Sequence, residues 1–407
     1  MRKAVVLFSL LAAAVLLFCS CSFAAAPVQT EGIVIPVING GTFQVPENDA
    51  MKLVRDMKAG WNLGNTFDAY DNDGWFRGTG ADMETAWVKV KTTPELIEAI
   101  REAGFNTLRL PVSWHNHVDE NYRINREWLA RVREVADYAL SRGMYVIVNV
   151  HHDNWENWLY PDYAHYEKSA AYLKAVWQQI ADAFSGCDHH LIIESMNEPR
   201  LTGTAHEWSW DPEDASCREA ADCINRFNQL FVDTIRSAGG KNADRFLMIP
   251  GYDAAPWYET DASFVLPKDT VPNRLIVSAH AYSPYSFALE PNSGDTRFSL
   301  DSSGEDKQNE IAGILDSLYW TFVVNGVPVV MDEFGAVDRN GNLQDRVNFT
   351  AWYVASAAAR GIACCWWDNG IFYGGGDEPF ALIDRKTAQW VCPDIVLSFM
   401  SNCLSAR

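Results

Sequence analysis

The chain has 407 residues, of which 48% are hydrophobic and 21% are charged, so it can bury a large core and is not disordered. Its formal net charge is −20, and a surface of that sign repels nucleic acid and anionic membranes but leaves a neutral ligand unaffected. The length alone allows two or three domains or one large α/β barrel, so the order of elements along the chain must decide between them.

Residues 1–26 have the features of a secretion leader. Arg2 and Lys3 precede a long apolar stretch that ends in three alanines before Pro27. The stretch is short and lies at the amino terminus, which favours a leader over a membrane span, so we predict a secreted or periplasmic protein. Cys21, in the segment FCSC, also resembles a bacterial lipoprotein box, and this leaves a lipid anchor at the outer surface as the alternative.

Seven cysteines follow the leader, an odd number scattered over a long chain. This pattern argues against a disulfide scaffold, although Cys217 and Cys223 could pair in an exported protein. The sequence contains no Cys-x-x-Cys pair, which disfavours zinc. Cys364 and Cys365 lie in an apolar run and are predicted to be core residues.

Residues 27–50 form an extension that is too short for a core of its own. Asn39-Gly40-Gly41 stands between alternating apolar residues, a pattern typical of a hairpin that could cap the closed end of a barrel. A linker is the alternative interpretation of this segment.

Residues 51–407 repeat one pattern, in which a short apolar run is followed by a loop and a helix-like segment. Apolar strands that alternate with helices are typical of a parallel sheet covered by helices. Eight runs occur, and this count predicts a single α/β domain with a closed (β/α)8 TIM barrel. The predicted strands cover residues 59–64, 107–113, 145–152, 191–198, 245–251, 274–282, 327–335 and 364–370.

Helices are predicted between most of these strands. The segments 94–104, 126–143 and 227–240 are amphipathic and end in glycine, as helix C-caps do. The interval 256–273, after the fifth strand, reads mostly as loop.

Several predicted strands end in ionisable or aromatic residues, and in a barrel of this kind functional side chains project from those ends. Each residue alone could be a helix cap, a salt-bridge partner or a packing residue. Buried charge is costly unless it is paired or functional, so the joint pattern indicates an active site. The residues are Arg109, His151, His152, Asn197, Glu198, His280, Tyr282, Asp332, Glu333, Trp366 and Trp367.

Glu198 and Glu333 are predicted to face each other across the mouth of the barrel. Two such carboxylates can cleave a glycosidic bond, since one protonates the leaving oxygen while the other attacks or activates water. Arg109 near Glu333 would keep it ionised as a nucleophile, and Tyr282 could donate a hydrogen bond to it. Glu198 is then the acid, with a pKa expected to be raised by burial and a nearby anion. Asn197 could bind a sugar 2-hydroxyl.

Tryptophan is abundant, with 16 residues, and many follow strand ends where their flat faces could stack on sugar rings. Packing of the loops is the alternative role for about half of these. The tryptophans that follow strand ends are Trp75, Trp114, Trp155, Trp158, Trp208, Trp210, Trp257 and Trp367. The tryptophans in or beside helices, which we predict to be core, are Trp87, Trp128, Trp177, Trp320, Trp352 and Trp390.

Three segments partly resemble metal sites. DAYDNDG (68–74) and DRNGNLQD (338–345) have acidic spacings like those of calcium loops, but neither matches the full ligand pattern, so we predict solvated turns. His151-His152-Asp153 lacks a further ligand at helical spacing. The sequence therefore predicts neither a metal site nor a cofactor.

Seven segments between residues 60 and 370 carry the strand-end residues in one order: GWNLGNTFDA (60–69), LRLPVSW (108–114), VNVHHD (148–153), ESMNEPR (194–200), HAYSPY (280–285), MDEFGA (331–336) and WWDNG (366–370). Together they resemble the motifs of glycoside hydrolase family 5, and within it the endo-β-1,4-glucanase type of subfamily 4. One segment, DAYDNDGWFRGTG (68–80), departs from the sequence expected for the first loop of that family.

The resemblance implies a (β/α)8 barrel and a retaining double displacement, with Glu198 as acid/base and Glu333 as nucleophile. It implies that Asn65 and His152 lie in neighbouring subsites. The subfamily includes enzymes that act on cellulose, mixed-linkage glucan, xyloglucan, xylan and mannan, so the motifs leave the substrate open. The residues implied around the sugar at the cleavage point are Arg109, His151, Asn197, His280, Tyr282 and Trp367.

The combined expectation is a secreted, monomeric endo-β-1,4-glucanase that hydrolyses a plant polysaccharide such as cellulose, mixed-linkage β-glucan or xyloglucan with retention. A mannanase, xylanase or xyloglucanase with the same machinery is one alternative, and a non-catalytic carbohydrate-binding protein is another. An intracellular metabolic barrel enzyme is a third, against which the leader and the lack of a glycine-rich phosphate loop both argue.

Overall fold

The computed structural model contains eight parallel strands that close into a barrel, as the eight apolar runs predict. The structure describes residues 32, 35–38, 43–372 and 378–403. The strands are β1 (Ala59–Leu63), β2 (Thr107–Leu110), β3 (Tyr145–Val148), β4 (Leu191–Glu194), β5 (Leu247–Ile249), β6 (Leu275–His280), β7 (Val329–Phe334) and β8 (Ala363–Asp368). Each strand pairs with the next along the chain, and β8 pairs with β1 to close the barrel.

Helices connect most of the strands. Helix α5 (Ala215–Ser237) begins well before the predicted position because the Asp214 side chain accepts hydrogen bonds from the N–H groups of Ser216 and Cys217. The interval after β5 is mostly loop, as predicted, with only the short helix α6. The helices are α1 (Asp49–Met57), α2 (Pro94–Glu102), α3 (Arg126–Leu140), α4 (Tyr166–Ala183), α5 (Ala215–Ser237), α6 (Pro256–Glu259), α7 (Tyr285–Ala288), α8 (Glu305–Thr321), α9 (Leu343–Ala359) and α10 (Pro393–Asn402). A small antiparallel pair, β9 (Ile383–Asp384) and β10 (Gln389–Trp390), precedes α10.

Alternate residues of each strand point into the barrel, and they form two layers of opposite character. The lower layer is apolar and packs against Leu53, Val54 and Met57 of α1, which close the amino-terminal end of the barrel. The upper layer, toward the carboxyl ends of the strands, is polar and buried. The lower layer includes Ile147, Ile192, Met248, Ile276, Val330 and Cys365, and the upper layer includes Asn62, Arg109, Glu194, Ser278 and Asp332.

The predicted secretion leader (1–26, with Cys21) and the Asn39-Gly40-Gly41 turn lie outside the described residues. The described residues that flank the turn form no strand. Phe43 lies edge-on against Tyr319 of α8 with ring centroids 4.8 Å apart, and the Arg360 guanidinium lies 4.3 Å from the Phe43 ring. This part of the extension therefore packs near the ends of α8 and α9, on the side opposite the carboxyl ends of the strands. Among the described residues, no helix combines the length and apolarity needed to cross a bilayer.

The structure decides one open question about individual residues and shows that one expectation is wrong. Cys217 and Cys223, which the sequence left as a possible pair, are both free and buried in α5. Cys223 lies six helical steps after Cys217, so their Cα atoms are about 9 Å apart along the axis, more than the roughly 7 Å that a disulfide tolerates. Trp320 is not a core residue but is 60% exposed, because α8 turns the adjacent Tyr319 inward and Trp320 outward. Cys364 and Cys365 are core residues, as predicted.

Candidate active site

Arg109 lies at the centre of the polar layer and is fully buried. Its Nη1 donates to Glu333 Oε1 at 2.5 Å, and its Nη2 donates to Asn197 Oδ1 at 2.8 Å. Its Nε and Nη2 donate to the two oxygens of Glu194 at 2.9 and 3.0 Å. Because the donors of a guanidinium have fixed directions, Arg109 fixes the orientation of these three side chains at once.

Glu333 lies on β7 and is only 4% exposed. Besides Arg109, the Tyr282 hydroxyl donates to its Oε2 at 3.0 Å. Burial raises the pKa of Glu333, and the charges of His280 and Arg109 oppose this without cancelling it. The structure thus brings Arg109 and Tyr282 onto the same carboxylate, as their sequence positions predict.

A bulge in β7 explains how both Asp332 and Glu333 face the interior. Strict alternation would point only one of two adjacent residues into the barrel. The pairing of β6 with β7 shifts by one residue, so that Ala279 pairs with Met331 but His280 pairs with Glu333. The extra residue in β7 re-aims Glu333 into the site while Asp332 keeps its place in the polar layer.

Glu198 lies in the loop four residues beyond the end of β4. Its Oε1 is 2.8 Å from His280 Nδ1, and its Oε2 is 3.5 Å from Arg200 Nη1. Asn154 Nδ2 and Arg200 Nη1 both donate to the Glu198 carbonyl oxygen, at 2.7 and 2.9 Å. The loop backbone is therefore pinned at the residue that carries the carboxylate.

The two glutamates meet at close range. One carboxylate oxygen of Glu198 lies within 4.8 Å of one carboxylate oxygen of Glu333, with a nitrogen of His280 in the same group. His280 Nδ1 is 2.8 Å from Glu198 Oε1 and 3.8 Å from Glu333 Oε2. The imidazole thus bridges the two carboxylates.

The expectation that Glu198 has a raised pKa is wrong. Burial does raise the pKa of Glu198, but the hydrogen bond and charge of His280, together with the charge of Arg200, outweigh it and lower the pKa. For His280 the signs are reversed, because burial lowers the pKa of a histidine. The charges of Glu333 and Asp332 outweigh burial and hold the pKa of His280 well above its usual value. A proton on His280 Nδ1 is therefore one hydrogen bond away from Glu198.

His151 and Trp367 present two parallel rings on one side of Glu333. His151 Nε2 lies 3.9 Å from Glu333 Oε1, and its ring is parallel to that of Trp367, with centroids 5.8 Å apart and planes inclined by 1°. Burial lowers the pKa of His151 well below its usual value, which keeps the ring neutral. Gly64 allows this arrangement, because a Cβ at that position would come within 2.7 Å of the Trp367 ring.

Asn65 and His152 lie farther from the two glutamates, around the buried Asp68. His152 Nε2 is 3.8 Å from Asp68 Oδ2, and the Asn65 N–H donates to the same oxygen at 2.9 Å. Burial lowers the pKa of His152 to about 4. The rings of Tyr70 and Trp87 lie 5.5 and 6.0 Å from that of His152, so Trp87, expected in the core, is half-buried beside the site.

Other tryptophans after strand ends divide between packing and exposure. Trp114 is fully buried, whereas Trp75, Trp208 and Trp257 are exposed by 46%, 60% and 51%. The Arg200 guanidinium lies 4.0 Å from the ring centroid of Trp208, which places this exposed ring on the Glu198 side of the site.

Sequence reasoning missed Glu194, and it placed Asp332 among the strand-end residues without giving it a role. Both are fully buried and contact Arg109. A signal for Glu194 was present, because it lies two positions after Ile192 and therefore on the inward face of an apolar strand. A charged residue there needs a buried partner, and Arg109 on β2 provides it.

Asp68, His151 and His152 could each offer one ligand atom to a metal ion, and these atoms lie within 4.8 Å of one another. However, Asp68 already accepts the N–H groups of Asn65 and Thr66. The absence of a metal site stays a prediction. Asp71, in the first calcium-like segment, instead accepts three N–H groups of its own loop, those of Asp73, Gly74 and Phe76.

Comparison with known proteins places the barrel in a family. Residues 68–372 match the model of the cellulases of glycosyl hydrolase family 5. The chain is 43% identical over 353 residues to the cellulase/esterase CelE of Acetivibrio thermocellus, and the match covers 86% of this chain and 40% of that relative. This chain therefore spans less than half the length of that protein.

Solved structures agree with the family match. A mutant of a glycoside hydrolase 5 lichenase from a Caldicellulosiruptor species, in complex with cellotetraose, has 49% sequence identity and a TM-score of 0.87 over 91% of this chain and 99% of that chain. A broad-specificity endoglucanase of subfamily 4 from Ruminococcus champanellensis, with bound cellotriose, has 40% identity and a TM-score of 0.80 over 88% of this chain and 99% of that chain. Family model, relatives and barrel agree, and this chain is a glycoside hydrolase that belongs to glycosyl hydrolase family 5.

Proposed function

We propose that this enzyme is a secreted endo-β-1,4-glucanase that cleaves internal bonds of its polysaccharide with retention, using Glu198 as acid/base and Glu333 as nucleophile. The observation that carries the proposal is the short separation of the two carboxylates, whose nearest oxygens lie within 4.8 Å. Retaining enzymes hold the two carboxyl groups about 5–5.5 Å apart, whereas inverting enzymes need about 6.5–9.5 Å to admit a water molecule.

Glu333 has the support that a nucleophile needs. Its strand holds the carboxylate rigidly, and Arg109 and Tyr282 bind its two oxygens and stabilise the ionised form. In the first step this carboxylate attacks the anomeric carbon and forms a covalent glycosyl-enzyme. Asn197, oriented by Arg109, keeps its amide nitrogen to donate to the substrate, and a sugar 2-hydroxyl is the proposed acceptor.

Glu198 and His280 together supply the proton for the leaving oxygen. The pKa of Glu198 is lowered, but a proton held by His280 can cross their 2.8 Å hydrogen bond as the glycosidic oxygen develops charge. The two groups interact so strongly that the proton belongs to the pair. In the second step Glu198 accepts a proton from the water that attacks the glycosyl-enzyme.

The proposed substrate is a neutral β-1,4-linked glucan, such as cellulose or mixed-linkage glucan. The similar lichenase and endoglucanase structures hold cellotetraose and cellotriose, respectively. The indole of Trp367, which lies parallel to the His151 ring, offers a flat aromatic face on which a sugar ring can stack. Export rests on the leader of residues 1–26, and a monomeric, cofactor-free enzyme remains part of the proposal.

The proposal is tested on the purified mature enzyme with a panel of soluble polysaccharides: barley β-glucan, xyloglucan, xylan and mannan. We expect the fastest hydrolysis on the β-glucan, with a rapid fall in viscosity because internal bonds are cut. Proton NMR during the first minutes should show the β-anomer as the initial product. An initial α-anomer would exclude retention. A clear preference for mannan or xylan would contradict the proposed substrate but not the proposed mechanism.

Export is tested separately by measuring the mass and location of the native product. A mature protein that lacks the leader, found outside the cytoplasm, is expected. Recovery of the full-length chain in the cytoplasm alone would reject this part of the proposal.

A further inference from the structure

Three buried carboxylates contact the single guanidinium of Arg109. Arg109 Nε lies 2.9 Å from Glu194 Oε2 and 3.0 Å from Asp332 Oδ2, and Nη1 reaches Glu333. Glu194 and Asp332 are fully buried and lie beneath the proposed nucleophile. His280 Nε2 lies 3.6 Å from Asp332 Oδ1, but the other nitrogen of the same ring contacts the Glu198 carboxylate. If Glu194, Asp332, Glu333 and Glu198 were all ionised, four carboxylates would face three described cations, those of Arg109, His280 and Arg200. One negative charge would then be buried without a partner, which is costly.

Ser278 shows how the excess charge is removed. Its hydroxyl oxygen lies 2.7 Å from Glu194 Oε1 and 2.9 Å from both carboxylate oxygens of Asp332. A hydroxyl carries one hydrogen, and an ionised carboxylate can only accept. Ser278 can therefore donate to only one of the two acids. The other short contact becomes a hydrogen bond when that second carboxyl group is protonated and donates to Ser278.

We propose that Glu194 and Asp332 hold one proton between them through Ser278, and that the pair is a positioning element that gives Arg109 a single counter-charge beside Glu333. The role assigned to Glu333 rests on the proposed function, but the shared proton does not. Both acids are fully buried and act through the groups that they contact, which are Arg109 for both and also His280 for Asp332.

The pKa values of the two acids separate in the direction that one shared proton requires. Burial, which Arg109 only partly offsets, raises the pKa of Glu194 to about 8. For Asp332, the charges of Arg109 and His280 outweigh the effect of burial and lower the pKa to about 2. Because the groups are in contact, we assign the proton to the pair and not to one residue.

The test compares the pH dependence of kcat/KM in Glu194→Gln, Asp332→Asn and the double variant. An amide in either position replaces the shared proton by a neutral group of the same shape, so each single variant keeps one negative charge beside Arg109. In each single variant we expect the acidic limb of the kcat/KM pH profile to lie at the same pH as in the wild type, whatever the absolute rate. In the double variant Glu333 becomes the remaining anion on Arg109, its pKa falls, and the limb should move about one unit lower.

The proposal would be overturned if Glu194→Gln and Asp332→Asn each shifted the acidic limb of the pH profile by a similar amount. If both acids are ionised in the native protein, each single substitution removes a full charge, and each moves the acidic limb on its own. The double variant then shows the sum of the two shifts.

An infrared difference spectrum between wild type and Glu194→Gln at neutral pH tests the same proton without catalysis and without the double variant. We expect the substitution to remove the carbonyl band of a protonated carboxyl group. Loss of an ionised carboxylate band instead would overturn the proposal. This result holds even if the enzyme hydrolyses no β-glucan, so the shared proton and the proposed function can fail separately.

Discussion

Glu198 and Glu333 face the same space but are held in different ways. Glu333 belongs to a barrel strand, and both of its oxygens accept hydrogen bonds from fully or largely buried donors. Glu198 belongs to a loop, and its side chain is 16% exposed. Among the described residues, His280 and Arg200 supply the hydrogen bond and the ion pair of its carboxylate oxygens. The barrel therefore fixes one half of the site, while the other half depends on neighbours from separate loops.

This difference suits the two proposed roles. A nucleophile must lie at one position relative to the anomeric carbon, and a misplacement of about 1 Å can cost roughly 100-fold in rate. An acid/base must accept and release a proton in each cycle, and a group close to solvent with a second proton-holding ring can do so. Substitutions on the two sides should therefore have different signatures.

The largest effects are expected for Glu333→Gln and Glu198→Gln on polysaccharide, each with a loss of several orders of magnitude in kcat. An aryl cellobioside with a good leaving group separates them, because its departure needs no proton. With this substrate and added azide, Glu198→Gln should recover turnover and yield a β-glycosyl azide, since azide attacks the glycosyl-enzyme without a general base. Glu333→Gln forms no glycosyl-enzyme and should not yield this product.

Thermal unfolding of both variants serves as the control, because each amide keeps the shape of the side chain. Near-normal hydrolysis of β-glucan by either folded variant would remove that residue from the mechanism.

Arg109→Lys should have the next largest effect and should act on the strand-borne half. Lysine keeps the charge but cannot bind Glu333, Asn197 and Glu194 together. We expect a loss of at least about 100-fold in kcat from the misplaced nucleophile. Each buried acceptor left without a donor should lower the free energy of unfolding by about 1–3 kcal/mol. Urea denaturation of the variant and the wild type measures this difference. Arg123→Lys is the matched control, since Arg123 is 74% exposed and pairs with Asp119 at the surface.

His280→Gln should narrow the pH profile of kcat/KM from both sides. Without the His280 charge the pKa of Glu333 rises, so the acidic limb moves to higher pH. Glu198 must then hold the catalytic proton alone. Its pKa rises when His280 is lost but stays below the well-raised pKa of His280, so the alkaline limb moves to lower pH. An alkaline limb that stays in place would show that Glu198 keeps its proton without His280.

Arg200→Gln should have the smallest effect and should touch only the loop-borne half. The charge of Arg200 lowers the pKa of Glu198, so its removal raises that pKa. The alkaline limb should move to higher pH by about half a unit, since solvent screens part of the interaction. The acidic limb, which reports Glu333, should not move. Arg200→Lys keeps the charge and should restore the wild-type profile; a shift of both limbs would contradict the separation of the two halves.

Much of this architecture follows from local patterns. Eight apolar runs predict eight strands, because parallel strands covered on both faces by other layers must be apolar along their length. The same rule places Arg109, Glu198 and Glu333 near one end of the barrel, since the strand carboxyl ends point the same way. The predicted contacts of Arg109 and Tyr282 with Glu333 needed only this argument.

Other features depend on contacts between distant segments. The bulge that turns Glu333 inward is a mismatch between β6 and β7, and no property of the MDEFG segment alone requires it. Trp87 lies beside the site because loops that follow different strands meet there. Its local sequence, beside a helix-like segment, predicted a core residue. The free state of Cys217 and Cys223 likewise follows from one continuous helix through both.

The amino-acid sequence by itself determined the barrel, the order of its strands and the identity of the two facing glutamates, because hydrophobic periodicity and strand direction are local properties. Only the tertiary structure decided the protonation of the site. Whether a carboxyl group such as that of Glu198 or Glu194 gains or loses a proton depends on the charges within a few ångströms of it. Those neighbours, His280, Arg200 and Arg109, come from separate parts of the chain.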